Sequence, residues 1–195
     1  ELYTMSKTFV AILMGSDSDL PVMESCIDIL RQFEVPFKVK ITSAHRTPEA
    51  THKFVKDCDH EGCVAFICAA GMAAHLAGAV AATTLRPVIG VPINASMDGL
   101  DALLSTVQMP GGIPVATVAI GKAGAKNAAY LAMQIIATSD TKIHKALINE
   151  REKNALTIIE KNINLLFFIR LVHLLVGVVI TRFHLSNTLI ADHFC

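Results

Sequence analysis

The segment Ser43-Ala44-His45-Arg46-Thr47-Pro48 combines the residue types that proton transfer and anion binding need. An imidazole such as that of His45 can both donate and accept a proton near neutral pH. Arg46 can place two N–H groups on phosphate oxygens, and Ser43 offers a hydroxyl. These six residues alone are equally typical of an exposed turn with a solvated His-Arg pair. Only the elements on either side can distinguish a binding site from such a turn.

The elements on either side place this segment at the edge of a sheet. Residues 37–42 alternate between apolar and polar types, which is typical of a strand with one buried face. Thr47 can cap a helix that begins at Pro48, because the first helical position needs no N–H donor. His45 and Arg46 would then lie at the carboxyl end of a strand, where open α/β sheets bind their ligands. The apolar members of the alternation are Phe37, Val39 and Ile41.

Four further apolar runs predict strands over residues 8–14, 63–69, 87–93 and 115–120. Helical patterns separate them, and a last helix is predicted from about Thr141 to Lys161. Five strands alternating with helices indicate an α/β fold of three layers, with a doubly wound parallel sheet in the order 2-1-3-4-5. In that arrangement the polar corners after the first three strands, together with the loop 108–114, would converge on one edge.

Two more segments near that edge could bind a ligand. The turn Gly15-Ser16-Asp17-Ser18-Asp19 feeds a helix and could hold a phosphate or a ribose, or could simply be a well-capped helix start. His75 is the polar exception in a run of small residues and could be a packing residue or a ligand.

Apolar stripes mark two of the predicted helices. The first helix has the stripe Leu20, Met23, Ile27 and Leu30, and a later helix has the stripe Leu100, Leu103, Leu104 and Val107.

Composition narrows the class of protein. A chain of 195 residues fits one domain, and its zero net charge gives no electrostatic footprint for nucleic acid. The mean hydropathy of +0.49 is high and indicates either oligomer contacts or a membrane-seeking segment. Five cysteines without a Cys-x-x-Cys pair favour a reducing compartment, and the first residues do not resemble a secretory signal. We therefore expect a cytoplasmic protein.

Five motifs, in order and at matching separations over roughly residues 8–160, resemble the N5-carboxyaminoimidazole ribonucleotide mutases of de novo purine biosynthesis. The first two are the glycine turn 15–19 and the segment 43–48 described above. The other three are Ala73-Ala74-His75-Leu76, Gln108-Met109-Pro110-Gly111-Gly112-Ile113-Pro114-Val115 and Ala119-Ile120-Gly121-Lys122-Ala123-Gly124.

The resemblance implies a flavodoxin-like fold, a homo-octamer and a rearrangement that needs neither cofactor nor metal. A carboxyl group would move from the exocyclic nitrogen of the nucleotide to a ring carbon, through carbon dioxide and a neutral amine. His45 would carry the proton, and the remaining predicted contacts are with the substrate. Ser16 and Asp19 would hold the nucleotide, Ser43 and Arg46 its phosphate, and Gly71, Ala73, His75 and Leu76 would belong to the loop that encloses carbon dioxide.

Two alternatives to the mutase stay open at this point. One is direct carboxylation of aminoimidazole ribonucleotide with carbon dioxide, although the loop at Gln108 favours the mutase. The other is a nucleotide-binding module that has lost turnover. The family usually has glycine and proline where this chain has Met72 and Ala77, and a positive φ at Met72 would cost roughly 1–2 kcal/mol or shift the loop.

The end of the chain departs from the family. We expect residues 1–162 to form the mutase-like domain and 163–195 to be a hydrophobic extension. Residues 163–180 are just long enough to cross a bilayer, but Arg170 near the middle would cost about 2.5–3.5 kcal/mol there, so membrane association is not expected. A segment packed within the chain or in an oligomer and a tail from an altered reading frame are the other interpretations.

Overall fold

The computed structural model describes residues 8–191, and for 170–191 it describes the backbone only. The chain divides into two compact units, Glu1–Ala146 and Leu147–Cys195. The first unit holds the sheet and the first five helices. Most of the second unit that is described belongs to one long helix.

Five parallel strands form the sheet, in the order β2-β1-β3-β4-β5. The predicted order is thus confirmed, as is the α/β fold with helices on both sides of the sheet. The fifth strand is shorter than predicted, because only two of its residues pair with β4. The strands are β1 Phe9–Met14, β2 Phe37–Ile41, β3 Cys63–Gly71, β4 Val88–Ile93 and β5 Ala116–Thr117.

Within residues 8–191, six α-helices follow or connect these strands, and two short 3-10 turns, Asp17–Asp19 and Met97–Gly99, precede the first and fourth of them. Pro48 begins the second helix, and Gly62 ends it in the left-handed conformation, with its N–H donated to the carbonyl of Cys58. The helices are α1 Leu20–Gln32, α2 Pro48–Glu61, α3 Leu76–Ala81, α4 Leu100–Val107, α5 Gly121–Ala137 and α6 Thr141–Ala191.

The core lies around the two central strands. All six residues of β1 are buried, as its unbroken apolar run predicts. On one face, Ala11 and Leu13 belong to a cluster with Val55 of α2 and Val80 of α3. The loops that carry the site therefore begin at rigidly packed strands, since β1 and β3 cannot shift without disturbing this packing.

Two apolar patterns are not buried as their spacing suggests. Val39 and Ile41 on β2 are 40% and 50% exposed, so the strand was predicted correctly but the burial of one face was not. β2 lies at the edge of the sheet, where it pairs with β1 alone. On α1, Met23, Ile27 and Leu30 are buried, whereas Leu20 at the first position is exposed.

Helix α4 turns its small residues toward the sheet and its large ones outward. Ala102 and Thr106 are buried, while Leu100, Leu104 and Val107 are exposed. The cause is the close approach of Thr106 to Gly90, where a Cβ would lie only 2.3 Å from the Thr106 methyl group. Three members of the stripe seen in the sequence thus lie on the outer face of this helix, and the fourth, Leu103, is half-buried.

Helix α6 continues to Ala191, beyond the end predicted near Lys161. The chain has no proline after Pro114 to stop it. Ile163 and the run 165–169 are exposed. Among the residues that the structure describes, no helix is long and apolar enough to cross a membrane. The side chains of Arg170 and of the residues after it are not described, and of the predicted 163–195 extension the backbone of 192–195 alone lies outside the described residues.

Candidate active site

A cavity of about 540 Å³ opens at the carboxyl ends of the first three strands. All nine residues that the sequence predicted for the site line it, although they come from three separate loops. Ser18 of the predicted glycine turn also lines it, and so does Ala95, which was not predicted from the sequence. Ala95 follows the end of β4. Its position at the carboxyl edge of the sheet is the feature from which it could have been predicted. The nine predicted residues are Ser16, Asp19, Ser43, His45, Arg46, Gly71, Ala73, His75 and Leu76.

Two imidazoles meet inside this cavity. His45 Nε2 lies 2.7 Å from His75 Nδ1, and the rings are nearly perpendicular at 74°. At this distance one nitrogen must carry the hydrogen and the other must accept it. His75 is exposed and its ring is hydrogen-bonded to another imidazole, so it is not buried in the packing of the loop. The pair can share one proton between two loops.

The segment 43–48 is held as a tight turn by its own hydrogen bonds. The backbone N–H of Arg46 donates to Ser43 Oγ at 3.1 Å, and that of Thr47 donates to the Ser43 carbonyl at 2.9 Å. Thr47 precedes α2 as predicted, but its side chain makes no capping bond, because its hydroxyl accepts from Ser43 N instead. The turn thereby fixes His45 at the cavity, with Arg46 Nη2 reaching 3.5 Å from the Gly15 carbonyl.

The glycine turn after β1 forms a capping box at its 3-10 helix. Ser16 Oγ accepts from Ser18 N at 3.3 Å, and Asp19 Oδ2 accepts from Ser16 N at 3.0 Å. Burial raises the pKa of the Asp19 carboxyl above its ordinary value of 3.8, although backbone N–H groups of Ser16 and Gly15 act against this. The carboxyl at the cavity is therefore nearly buried yet fixed by the chain's own backbone.

The loop after β3 supplies the apolar wall. Leu76 is only 2% exposed, and Gly71 lies so close to Ala95 that a Cβ on Gly71 would be 2.8 Å from the Ala95 methyl group. Met72 has a φ of +55°, the left-handed value that the sequence analysis considered. A side chain at a left-handed position costs roughly 1–2 kcal/mol, and the fold carries that cost at Met72.

The loop 108–114 was predicted to lie with the polar corners, but it does not reach the cavity. None of its residues lines the cavity formed by the described chain. Met109 instead packs against Gly78 of α3, where its Sδ would lie 3.3 Å from an added Cβ. The expectation that this loop converges with the other polar corners is therefore wrong for this cavity, because the absence of a side chain at Gly78 lets Met109 pack on α3.

The chemistry available in the cavity is proton transfer next to a bound anion. Two linked imidazoles provide the proton, Arg46 provides a positive charge, and the hydroxyls and carboxylate of the glycine turn provide polar contacts. Among the described residues, no group of three or more His, Cys, Asp or Glu side chains is placed to hold a metal ion. The apolar wall around Leu76 offers a space with few hydrogen-bonding groups.

Comparisons with known proteins found similar sequences. The family model described as AIR carboxylase matches residues 9–156. The chain is 53% identical over 144 residues to the N5-carboxyaminoimidazole ribonucleotide mutase of Methanocaldococcus jannaschii, covering 74% of this chain and 88% of that protein. The mutase of Pyrococcus abyssi is 52% identical, with 73% and 82% covered.

A solved structure is also similar. The crystal structure of Treponema denticola PurE superposes with a TM-score of 0.71 at 33% sequence identity, covering 78% of this chain and 95% of that one.

Proposed function

The chain belongs to the AIR carboxylase family, and on that premise we propose how its cavity converts N5-carboxyaminoimidazole ribonucleotide to 4-carboxy-5-aminoimidazole ribonucleotide. The activity is that of a mutase, an isomerase of purine biosynthesis. The observation that carries the proposal for the residues is the 2.7 Å contact between His45 and His75 inside a cavity that the glycine turn also lines.

In the first step the bond between the exocyclic nitrogen and the carboxyl carbon breaks. The electron pair of that bond returns to nitrogen, carbon dioxide departs, and His45 supplies a proton so that the nitrogen becomes a neutral amine. His45 is left with a lone pair. Its contact with His75 holds the ring in place, because the hydrogen shared by the two nitrogens ties their loops together.

In the second step the ring carbon attacks the retained carbon dioxide. A carbon–carbon bond forms, the ring carbon then loses its hydrogen as a proton, and His45 takes that proton back. No electron is gained or lost overall, and His45 finishes in the state in which it began. Both steps need only proton transfer and a confined carbon dioxide molecule, so the proposal calls for no cofactor and no metal.

The nucleotide is held at the polar side of the cavity. Ser16 and Asp19 contact the ribose, since their capping box fixes both side chains at the cavity. Ser43 and Arg46 contact the phosphate, because a hydroxyl and a guanidinium at the start of α2 both favour an anion. Gly71, Ala73, His75 and Leu76 enclose the carbon dioxide.

The remaining proposals concern assembly and location. The exposed apolar side chains on β2 and α4, including Val39, Ile41 and Leu104, support burial between copies in a homo-octamer. Residues 1–162 carry the activity in this proposal, and 163–195 are an extension outside it. We place the enzyme in the cytoplasm, in keeping with its buried free cysteines.

A turnover assay in the presence of a metal chelator and without ATP tests the function. The full chain is given either the N-carboxylated nucleotide or free aminoimidazole ribonucleotide with bicarbonate. We expect much faster product formation from the first substrate, since the direct carboxylation is the disfavoured alternative. Turnover of neither substrate would contradict the activity, and faster turnover of the second would identify a carboxylase.

The same assay on a chain that stops after Asn162 tests the domain proposal. We expect retained turnover, because the family model ends at residue 156. Light scattering on both forms reports the number of copies. A full-length chain that turns over as a monomer would contradict the octamer, and loss of turnover in the short form would show that the extension is required.

A further inference from the structure

Met72 combines two properties that rarely occur together. It is a non-glycine residue in the left-handed region, with a φ of +55°, and it lines the catalytic cavity. Its side chain is apolar and the residue is 62% exposed. A cavity-lining residue with that much exposure lies at the mouth, in contrast to Leu76, which is almost completely buried in the wall.

Contacts on both sides hold the backbone around Met72. The Met72 carbonyl accepts from Ala74 N at 2.9 Å, and Ser105 Oγ of α4 approaches the same oxygen at 3.5 Å. On the other side, Gly71 lies against Ala95 with no room for a side chain. Strained backbone that its surroundings hold in place is often part of a functional site.

Left-handed methionines are not in themselves a sign of function, as the same chain shows. Met97 has a φ of +44° and is 74% exposed, yet it does not line the cavity. The difference between the two methionines is position, since of the two only Met72 lines the cavity. Met97 is therefore a natural control for any effect of removing a thioether side chain from an exposed, left-handed position.

We propose that the side chain of Met72 covers the mouth of the cavity and keeps carbon dioxide there between the two steps. This inference rests on the proposed function. Carbon dioxide is small and uncharged, so hydrogen bonds hold it weakly and an apolar cover retains it better than a polar one. Methionine suits the task because its unbranched side chain can move aside for the nucleotide and then pack over the opening.

The consequence is that Met72 determines the source of the carboxyl group. While carbon dioxide is retained, the carbon lost from nitrogen is the carbon that joins the ring. If carbon dioxide escapes, the product takes its carboxyl from dissolved carbon dioxide, or the free amine is released. Met72 is thus a positioning residue for the intermediate and takes no part in proton transfer.

The test uses the full chain, the unlabelled N-carboxylated nucleotide and a buffer of ¹³C-bicarbonate equilibrated by carbonic anhydrase. Mass spectrometry gives the fraction of product that carries ¹³C. We expect a small fraction for the wild type and a rise of about tenfold for Met72→Ala, the factor typical of losing one apolar side chain at a binding site. Met72→Leu keeps the apolar volume and should stay close to the wild type.

Two further variants make the result decisive. Met97→Ala should leave the labelled fraction unchanged, since Met97 does not line the cavity. Met72→Gly removes both the side chain and the strain, so it should raise the melting temperature and still increase the labelled fraction. An unchanged fraction in Met72→Ala and Met72→Gly would overturn the inference, as would an equal rise in Met97→Ala. Absence of wild-type turnover would instead overturn the proposed function.

Discussion

The turn after β1 and the turn after β4 share a framework. Each begins with a serine in extended conformation, at φ −149° and ψ 159° for Ser16 and φ −148° and ψ 165° for Ser96. Each continues through a three-residue 3-10 turn and then starts an α-helix at a leucine, Leu20 or Leu100. The two turns also occupy equivalent places, at the carboxyl ends of strands of the same sheet.

The two turns differ in their hydrogen bonds and in their backbone conformations. In the first turn, Ser16 and Asp19 bond to the backbone that they cap. In the second, the Ser96 side chain makes no capping bond and donates to the carboxylate of Asp101, while Met97, Asp98 and Gly99 all take left-handed conformations. A turn whose polar groups satisfy its own backbone can present them at fixed positions. This explains why the first turn lines the cavity, whereas only Ala95 does so beside the second.

The largest effect is expected from His45→Asn. This variant tests whether the proton carrier lies in the wall of the cavity that the first turn helps to form. Arg46 approaches the Gly15 carbonyl, so the histidine corner and the first turn form one wall. Loss of the proton carrier should lower kcat by at least about 10²-fold, the usual contribution of a general acid–base group. Nucleotide binding, measured by calorimetry, should persist because Ser16, Ser43 and Arg46 are unchanged.

His60→Asn is the matched control, because His60 is exposed on α2 and does not line the cavity. Its kcat should stay within about twofold of the wild type, as for most surface substitutions. A His45→Asn enzyme with nearly normal kcat would show that another group carries the proton. The difference between the two turns would then be unrelated to catalysis.

A smaller effect is expected when the two serines are compared directly. Ser16→Ala should lower the free energy of unfolding by about 1 kcal/mol, because it removes a capping acceptor. Ser96→Ala should cost less, since Ser96 caps nothing. Urea denaturation of both variants gives the comparison, and the KM for the nucleotide should rise only in Ser16→Ala. Equal losses of stability would mean that the capping box does not distinguish the turns.

The sequence contained much of this fold because its strongest patterns are local. The apolar run of β1 predicted a strand, and all six residues of that strand are buried. Alternation in β2 showed which side chains share a face. It could not show whether anything covers that face, so the exposure of Val39 and Ile41 had to come from the structure.

The candidate site was predictable residue by residue, but its contacts were not. Polar types at the ends of successive strands, together with the family resemblance, predicted nine residues, and all nine are among the fifteen that line the cavity. The contact of His45 with His75 depends on how two loops, thirty residues apart, fold toward each other. The failure of the loop 108–114 to reach the cavity has the same origin, since Met109 packs on Gly78 through tertiary structure alone.

The smallest effect we expect concerns pH, and it tests whether Asp19 differs from the carboxyl of the second turn. Because Asp19 is only 6% exposed, burial raises its pKa in the folded protein above 3.8. The folded state then binds this proton more tightly than the unfolded state does. As the pH rises from 3.8 through the raised pKa, the wild type must lose free energy of unfolding relative to Asp19→Asn, whose amide does not titrate.

Urea denaturation at a series of pH values, from about pH 3 to about pH 7, measures this difference. Asp98→Asn controls for the change in net charge, because Asp98 is an exposed carboxyl in the second turn. In Asp19→Asn the new amide oxygen can still accept from the N–H of Ser16, so the cap should survive the substitution. If the wild type instead gained stability relative to Asp19→Asn across this range, the backbone donors would outweigh burial. The buried carboxyl would then be a stabilising anion, and its folded-state pKa would lie below 3.8.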